Sequence, residues 1–134
     1  MIQVTMKKAK INKISPHATH FSQDNNDEVI MVLTNLPDRA SAEHIAQTLI
    51  AERLAACVNI LAECSSVYRW QGKIETANEV PVFIKTTRAV YPRVAATILA
   101  HHPYELPEVI AVPIGLGLPA YLEWVQQAIR PTSA

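Results

Sequence analysis

Between Ala56 and Thr87 the chain runs through two long β-prone segments separated only by Gln71-Gly72. The first, Ala56-Cys57-Val58-Asn59-Ile60-Leu61, leads on to Tyr68-Arg69-Trp70. The second, Lys73-Ile74-Glu75, leads on to Phe83-Ile84-Lys85-Thr86. A short glycine-containing break between β-branched and aromatic runs predicts a hairpin. Arms of about fifteen residues at ~3.3 Å per residue make a ribbon roughly 50 Å long. A compact domain of this size has a radius of gyration near ~13 Å, so the ribbon must project past its own domain or bend sharply. A bare two-stranded ribbon is marginal in water, which predicts that another copy of the chain covers it.

The remaining chain bounds the class. Its 134 residues predict one domain with a real core. Lys+Arg and Asp+Glu cancel at 12 each, which argues against a broad nucleic-acid-binding footprint. No apolar run reaches the length of a membrane span, and Lys7, Lys8, Lys10 and Lys13 interrupt the N-terminus where a signal peptide would be apolar. The expectation is a soluble, cytoplasmic protein. Cys57 and Cys64, seven apart on one expected strand, would lie on opposite faces and roughly 23 Å apart, too far for a disulfide. Both read as small core residues.

Residues 1 to 28 carry four lysines followed by Asp24, Asp27 and Glu28, and read as a flexible polar leader. Ile2, Val4 and Met6 alternate within it, and His17 and His20 have metal-compatible spacing with nothing nearby to complete a site. The domain proper is expected over residues 29–134. Val29 to Thr34 predicts a buried strand. Asp38 or Ser41 can cap a helix whose stripe is Ala42, Ile45, Ala46, Leu49, Ile50 and Leu54. After the ribbon a second helix is expected near Ala89, with Pro92 in its first turn. It must stop at His101-His102, because Pro103 disfavours helical geometry at His102. Val109 to Ile114 predicts a further strand, with Pro113 marking an edge. A last helix begins near Pro119, with Tyr121, Leu122, Trp124, Val125 and Ile129 on its apolar side.

That order is βαββαβ plus a C-terminal helix, the split βαβ pattern of an α+β, ferredoxin-like fold. Two helices would cover one side of the sheet. The other side also reads as apolar, since both alternating faces of Val29-Ile30-Met31-Val32-Leu33 and of Val80-Pro81-Val82-Phe83-Ile84 are hydrophobic. A sheet open to water on one side shows polar residues there. Self-association is therefore expected.

Several spaced motifs then match one family in order. Leu54-Ala55-Ala56-Cys57-Val58-Asn59, Tyr68-Arg69-Trp70-Gln71-Gly72-Lys73-Ile74-Glu75, Ile84-Lys85-Thr86-Thr87 and His102-Pro103-Tyr104-Glu105-Leu106-Pro107-Glu108 resemble the CutA family of divalent-cation tolerance proteins. The likeness runs from about Val29 to Ile129. It implies a homotrimer of ferredoxin-like subunits whose long hairpins pair between chains, and a link to tolerance of copper and other divalent cations. The architecture is similar to that of PII-type signalling trimers, which bind small ligands between subunits. That supplies an alternative function as a small-ligand sensor.

The candidate chemistry follows from these motifs. Thiolates select copper(I), and imidazole suits copper or zinc. Cys57 and His102 are the thiol and imidazole that match the family, and so the candidate metal ligands, with copper or another divalent cation as a ligand rather than a required cofactor. No CxxC, HxxxH or Cys/His cluster predicts a preformed site in one chain. Tyr68, Trp70, Lys85, Tyr104, Glu105 and Glu108 are the candidate residues of a cleft between subunits. Lys85 would there meet a ligand anion, or else pair with Glu105 or Glu108 of a neighbouring chain. Glu75 and Glu79 share a strand face but lie roughly 13 Å apart, too far to cooperate as a catalytic pair. With no phosphate loop and no nucleophile elbow, the chain is not expected to be an enzyme.

Overall fold

In the computed structural model, residues 25–131 are described. Gln71 and Gly72 both take positive φ, 49° and 80°, as a two-residue turn of type I′ requires. The turn joins β3 (Cys64–Trp70) to β4 (Lys73–Thr87), whose last facing pair is Trp70 with Lys73. The second arm of the ribbon is thus one strand of 15 residues.

The first arm is not. A separate strand, β2 (Cys57–Ile60), pairs with β4 so that Ile60 faces Val82, while β3 begins with Cys64 facing Glu79. Four steps along the first arm meet three along β4, the one-residue excess of a β-bulge. Such a slip exchanges the faces on which side chains lie. Cys57 faces Lys85 and Cys64 faces Glu79, so both cysteines lie on the side of the odd-numbered β4 residues and not on opposite sides. They remain roughly 20 Å apart along β4, and both thiols are free.

β1 (Val29–Leu36) runs antiparallel between β4 and β5 (Ile110–Pro113), giving the order β2-β4-β1-β5. The last strand is shorter than the Val109–Ile114 expectation, because it pairs on one side only. α1 (Arg39–Ala51) follows β1, α2 (Tyr91–His101) follows β4, and α3 (Pro119–Ile129) follows β5. This is the expected ferredoxin-like arrangement.

Alternation along the strands decides what each face does. Ile30, Val32, Leu36, Val82 and Ile84 point to one side and bury against Ala42, Ile45 and Leu49 of α1 and Val94 and Ile98 of α2. On the other side α3 covers one end, where Val125 and Ile129 pack on Val29. Beyond it, Met31, Leu33, Phe83 and Ile110 form a half-buried apolar floor, with Val112 exposed.

Local chemistry sets the ends of the helices. Asp38, not Ser41, caps α1: its Oδ1 accepts from the Ser41 N–H at 2.7 Å. That bond holds the Asp38 carboxyl below its ordinary pKa. Beyond the C-terminus of α1, Arg53 is left-handed at φ 57°, its N–H donates to the Ile50 carbonyl and that of Leu54 to the Leu49 carbonyl. This is a Schellman closure with arginine in place of the usual glycine. The Arg53 guanidinium also donates to the Ala128 carbonyl near the end of α3. Close to the same helix end, Asn25–Asp27 make a short 3₁₀ turn. Glu28 accepts from Arg88, and the Asp27 carbonyl from Gln126. Residues 25–28, grouped with the leader from sequence, are therefore fastened to the domain, while Ile2, Val4, Met6, His17 and His20 lie outside the described residues.

α2 stops where Pro103 holds His102 extended, at φ −85° and ψ 133°. The His102 Nε2–H donates to the Asn35 carbonyl at 2.6 Å, and Nδ1 accepts from the Tyr104 N–H at 3.1 Å. This pairing requires a neutral ring. Burial pushes the His102 pKa below its ordinary 6.5, against the opposing pull of the Asn35 carbonyl and the Glu79 carboxylate.

Two measurements check these contacts. Thr86 Oγ1 donates to the buried Leu54 carbonyl at 2.7 Å, whereas the buried Thr34 hydroxyl has no partner among the described residues. In urea unfolding, Thr86→Val should lose about 1–3 kcal/mol, while Thr34→Val should be neutral or gain roughly 1 kcal/mol. Equal losses would be inconsistent with these hydroxyl roles. For His102, a folded pKa below the unfolded value means that the unfolded chain takes up a proton first as pH falls. Stability should therefore drop as pH falls below about 6.5. His102→Gln removes that titration, so its stability should fall less than the parent's between about pH 7.5 and about pH 5.5.

Candidate functional site

The open face of the hairpin and the loop from Pro103 to Glu108 enclose a cleft of about 750 Å³. Period-two alternation along β3 presents Ser66, Tyr68 and Trp70 on one face, and these form one wall. Glu79 of β4 and Ile110 of β5 supply the floor, and Tyr104, Glu105 and Glu108 the opposite wall. Asn35 positions that second wall twice over. Its carbonyl holds His102, and its Nδ2 donates to Glu108 Oε1 at 3.2 Å. The His102 ring packs on Tyr104 with centroids 4.8 Å apart.

Glu79 is the electrostatic centre of the cleft. It is only 5% exposed, and no ion pair reaches it among the described residues. The Tyr104 phenol stands next to it, and its pKa is pushed up to about 12 by burial first, then by its interaction with the Glu79 carboxylate. Tyr104 is therefore a fixed donor at neutral pH. With Glu105 and Glu108 the cleft holds three carboxylates beside three aromatic rings, and among the described residues no lysine, arginine or histidine lines it. Carboxylates and aromatic faces together attract positive charge.

Of the residues singled out from sequence, Tyr68, Trp70, Tyr104, Glu105 and Glu108 meet here. Lys85 does not join them. It lies on the same sheet face as Glu79 but six residues along β4, roughly 20 Å away, and its ammonium donates to Asn59 Oδ1. His102 stands behind Tyr104, with both ring nitrogens already engaged. Cys57 faces Lys85, and its Sγ lies 3.9 Å from Asn59 Oδ1. Asn35 sits opposite Pro81. Four residues and two strands thus separate Cys57 from the carbonyl that holds His102, roughly 15 Å. One ion bound at ~2.0–2.3 Å by each ligand cannot bridge them within a chain. No group of three or more His, Cys, Asp or Glu side chains is placed to hold a metal among the described residues.

Sequence reasoning missed Glu79, which it weighed only as a partner for Glu75. The available signal was a glutamate immediately before the buried run Val80-Pro81-Val82-Phe83-Ile84. Alternation along β4 puts Glu79 on the face of Tyr68 and Trp70, but the loop from Pro103 to Glu108 that closes over it comes from a distant part of the chain.

Comparison with known proteins places this geometry. Residues 30–128 match the family described as CutA1 divalent ion tolerance protein. A divalent-cation tolerance protein CutA from Thermus thermophilus is 41% identical over 97 residues, covering 72% of this chain and 94% of that protein. The crystal structure of CutA from Xylella fastidiosa superposes with a TM-score of 0.75 at 46% identity, covering 77% of this chain and 99% of that one. A CutA structure from Archaeoglobus fulgidus, described as a periplasmic divalent cation tolerance protein, gives a TM-score of 0.74 at 34% identity over 76% of this chain and 99% of that one. None of these is an enzyme name, and among the described residues no helix is long and apolar enough to cross a membrane. With a family match and an identity that span most of its length, this chain belongs to the CutA1 divalent ion tolerance family.

Proposed function

We propose that this chain serves divalent-cation tolerance as a homotrimer, and that the cleft around Glu79 is its cation-binding site. One observation carries the reading: a nearly buried carboxylate beside Tyr104 faces a cleft with two more carboxylates and, among the described residues, no basic side chain. A buried charge without a counter-charge is costly, and a bound cation removes that cost. Glu79, Glu105 and Glu108 do not converge on a single point, so the ion in this reading is a hard divalent cation that keeps much of its water shell. Copper remains a candidate through Cys57, although nothing among the described residues adds a second soft ligand beside it. The sensor alternative is narrowed to cationic ligands, because an anion would find no positive partner in the cleft.

The trimer reading rests on uncovered apolar surface. Val67 and Ile74 on the hairpin are 69% and 70% exposed, and Val112, Leu116, Leu118 and Trp124 are exposed as well. Such patches mark association surfaces. The two free thiols suit a reducing compartment, so the cytoplasm is the proposed location, in contrast to the description of the Archaeoglobus protein. No catalytic step is assigned.

Calorimetric titration under reducing conditions, with manganese, zinc and copper in turn, tests the site. Glu79→Gln should weaken the tightest cleft binding by at least roughly tenfold, as loss of even a supporting group does. Cys57→Ser should leave it unchanged. The opposite ranking would move the site to the thiol. Light scattering at low micromolar concentration should report three times the 14.8 kDa chain mass. A folded single chain would remove the trimer while leaving the Glu79 titration meaningful.

A further inference from the structure

Away from the cleft, two histidines from different helices meet on the surface of the helical layer. His44 belongs to α1 and His101 to the last turn of α2, 57 residues apart in sequence. Both are exposed. Their rings stand edge to face, with centroids 4.9 Å apart and planes at 71°. Nε2 of His44 lies 3.2 Å from Nδ1 of His101.

That separation has a second meaning. In a neutral pair one nitrogen carries the hydrogen and the other offers a lone pair, so the two nitrogens face each other across the gap between the rings. Two imidazole nitrogens bound to one ion at ~2.0–2.1 Å stand about 3.3 Å apart in tetrahedral geometry and about 2.9 Å apart at adjacent square-planar positions. The observed 3.2 Å falls between these values. The helices beneath are fixed by the core that Ile45 and Leu49 share with Val94 and Ile98, so little reorganisation is needed. Imidazole is the side chain that suits copper(II), zinc and nickel.

We infer that His44 and His101 form a two-imidazole site for a borderline divalent ion, bridging α1 and α2, with water completing the coordination. Binding releases no net proton: the ring that donates in the free pair carries its hydrogen on its other nitrogen in the complex. The site does not use the cleft residues and stands or falls separately from them.

The full-length chain, titrated with zinc and followed by thermal unfolding and calorimetry, tests this, with magnesium as a control for charge alone. His44→Gln and His101→Asn keep a donor and an acceptor at similar reach but remove an imidazole. The parent should gain more thermal stability with zinc than either variant, while any magnesium response, which belongs to the cleft, should be the same in all three. Each variant should keep the metal-free melting temperature and lose more than the roughly tenfold in zinc affinity that removal of an outer-shell partner costs. Glu79→Gln should leave this response intact, which separates it from cation binding in the cleft. In the Glu79→Gln background, a zinc response that persists in the double histidine variant, or its absence when both histidines are present, would overturn the inference. Should a variant fold poorly, copper(II) electron paramagnetic resonance of the parent decides. Nitrogen couplings from two imidazoles support the site, and a spectrum that shows none, or only a thiolate, refutes it.

Discussion

β4 is the constraint on which the other elements depend. It pairs with β1, β2 and β3, so its register fixes theirs, and through β1 it fixes β5 as well. Along its length the strand changes character. Val80, Val82, Ile84 and Thr86 are buried in the domain core, whereas Lys73 to Thr76 are exposed in the ribbon. The passage from one regime to the other falls at Glu79 and Val80, two consecutive buried residues that point to opposite faces. The extra residue of the first arm sits across from this point. Bulges bend a strand and raise its local twist. A ribbon too long for its domain is therefore redirected at its root, and the bend places Tyr68 and Trp70 opposite the loop that carries Tyr104.

How much of this was legible in the sequence depended on whether the signal was local. The Gln71-Gly72 turn, the cap at Asp38, Pro92 in the first turn of α2 and the stop at His102 each follow from the backbone preferences of one or two residues, and each appears where expected. The apolar second face of the sheet was also readable, because alternation is a property of each strand alone. The bulge was not. Leu61 to Glu63 carry neither glycine nor proline, and the excess residue exists only relative to β4. The inferences that ran through that point inherited the error: the continuous first arm and the opposed faces of Cys57 and Cys64. Lys85 was misplaced for a different reason, since it shares the face of the aromatic residues but lies too far along β4 to reach them. The placement of α3 was hidden for a similar reason. Its stripe is plain in the sequence, but a stripe does not state which face of the sheet it covers.

The polar groups sort by chemistry across the fold. Oxygen donors gather on the open sheet side, where Glu79, Glu105 and Glu108 face aromatic rings. Nitrogen donors meet on the helical side, at His44 and His101. The thiols stand apart on the sheet, Cys57 beside Asn59 and Cys64 beside Ser66. Ligand softness is a main determinant of which divalent ion a site prefers. A chain with hard and borderline donors on separate faces has the means to meet different ions at different places, and it needs no single high-affinity centre to do so. His102 does not belong to this set, since its nitrogens hold the cleft wall in place.

Assembly and the cleft are physically linked. One cleft wall is anchored twice to Asn35, but the other is β3, which among the described residues pairs with β4 alone. Two-stranded ribbons are marginal in isolation, and the outer side of this one exposes Val67 and Ile74. A partner covering that side would stiffen the wall carrying Tyr68 and Trp70. A ligand in the cleft would in turn favour the hairpin geometry that such a partner covers. Linkage requires these two preferences to be reciprocal. In the proposed trimer, cation binding at Glu79 would tighten subunit association by the same factor as association tightens binding, and an exposed ribbon would become the element that couples them.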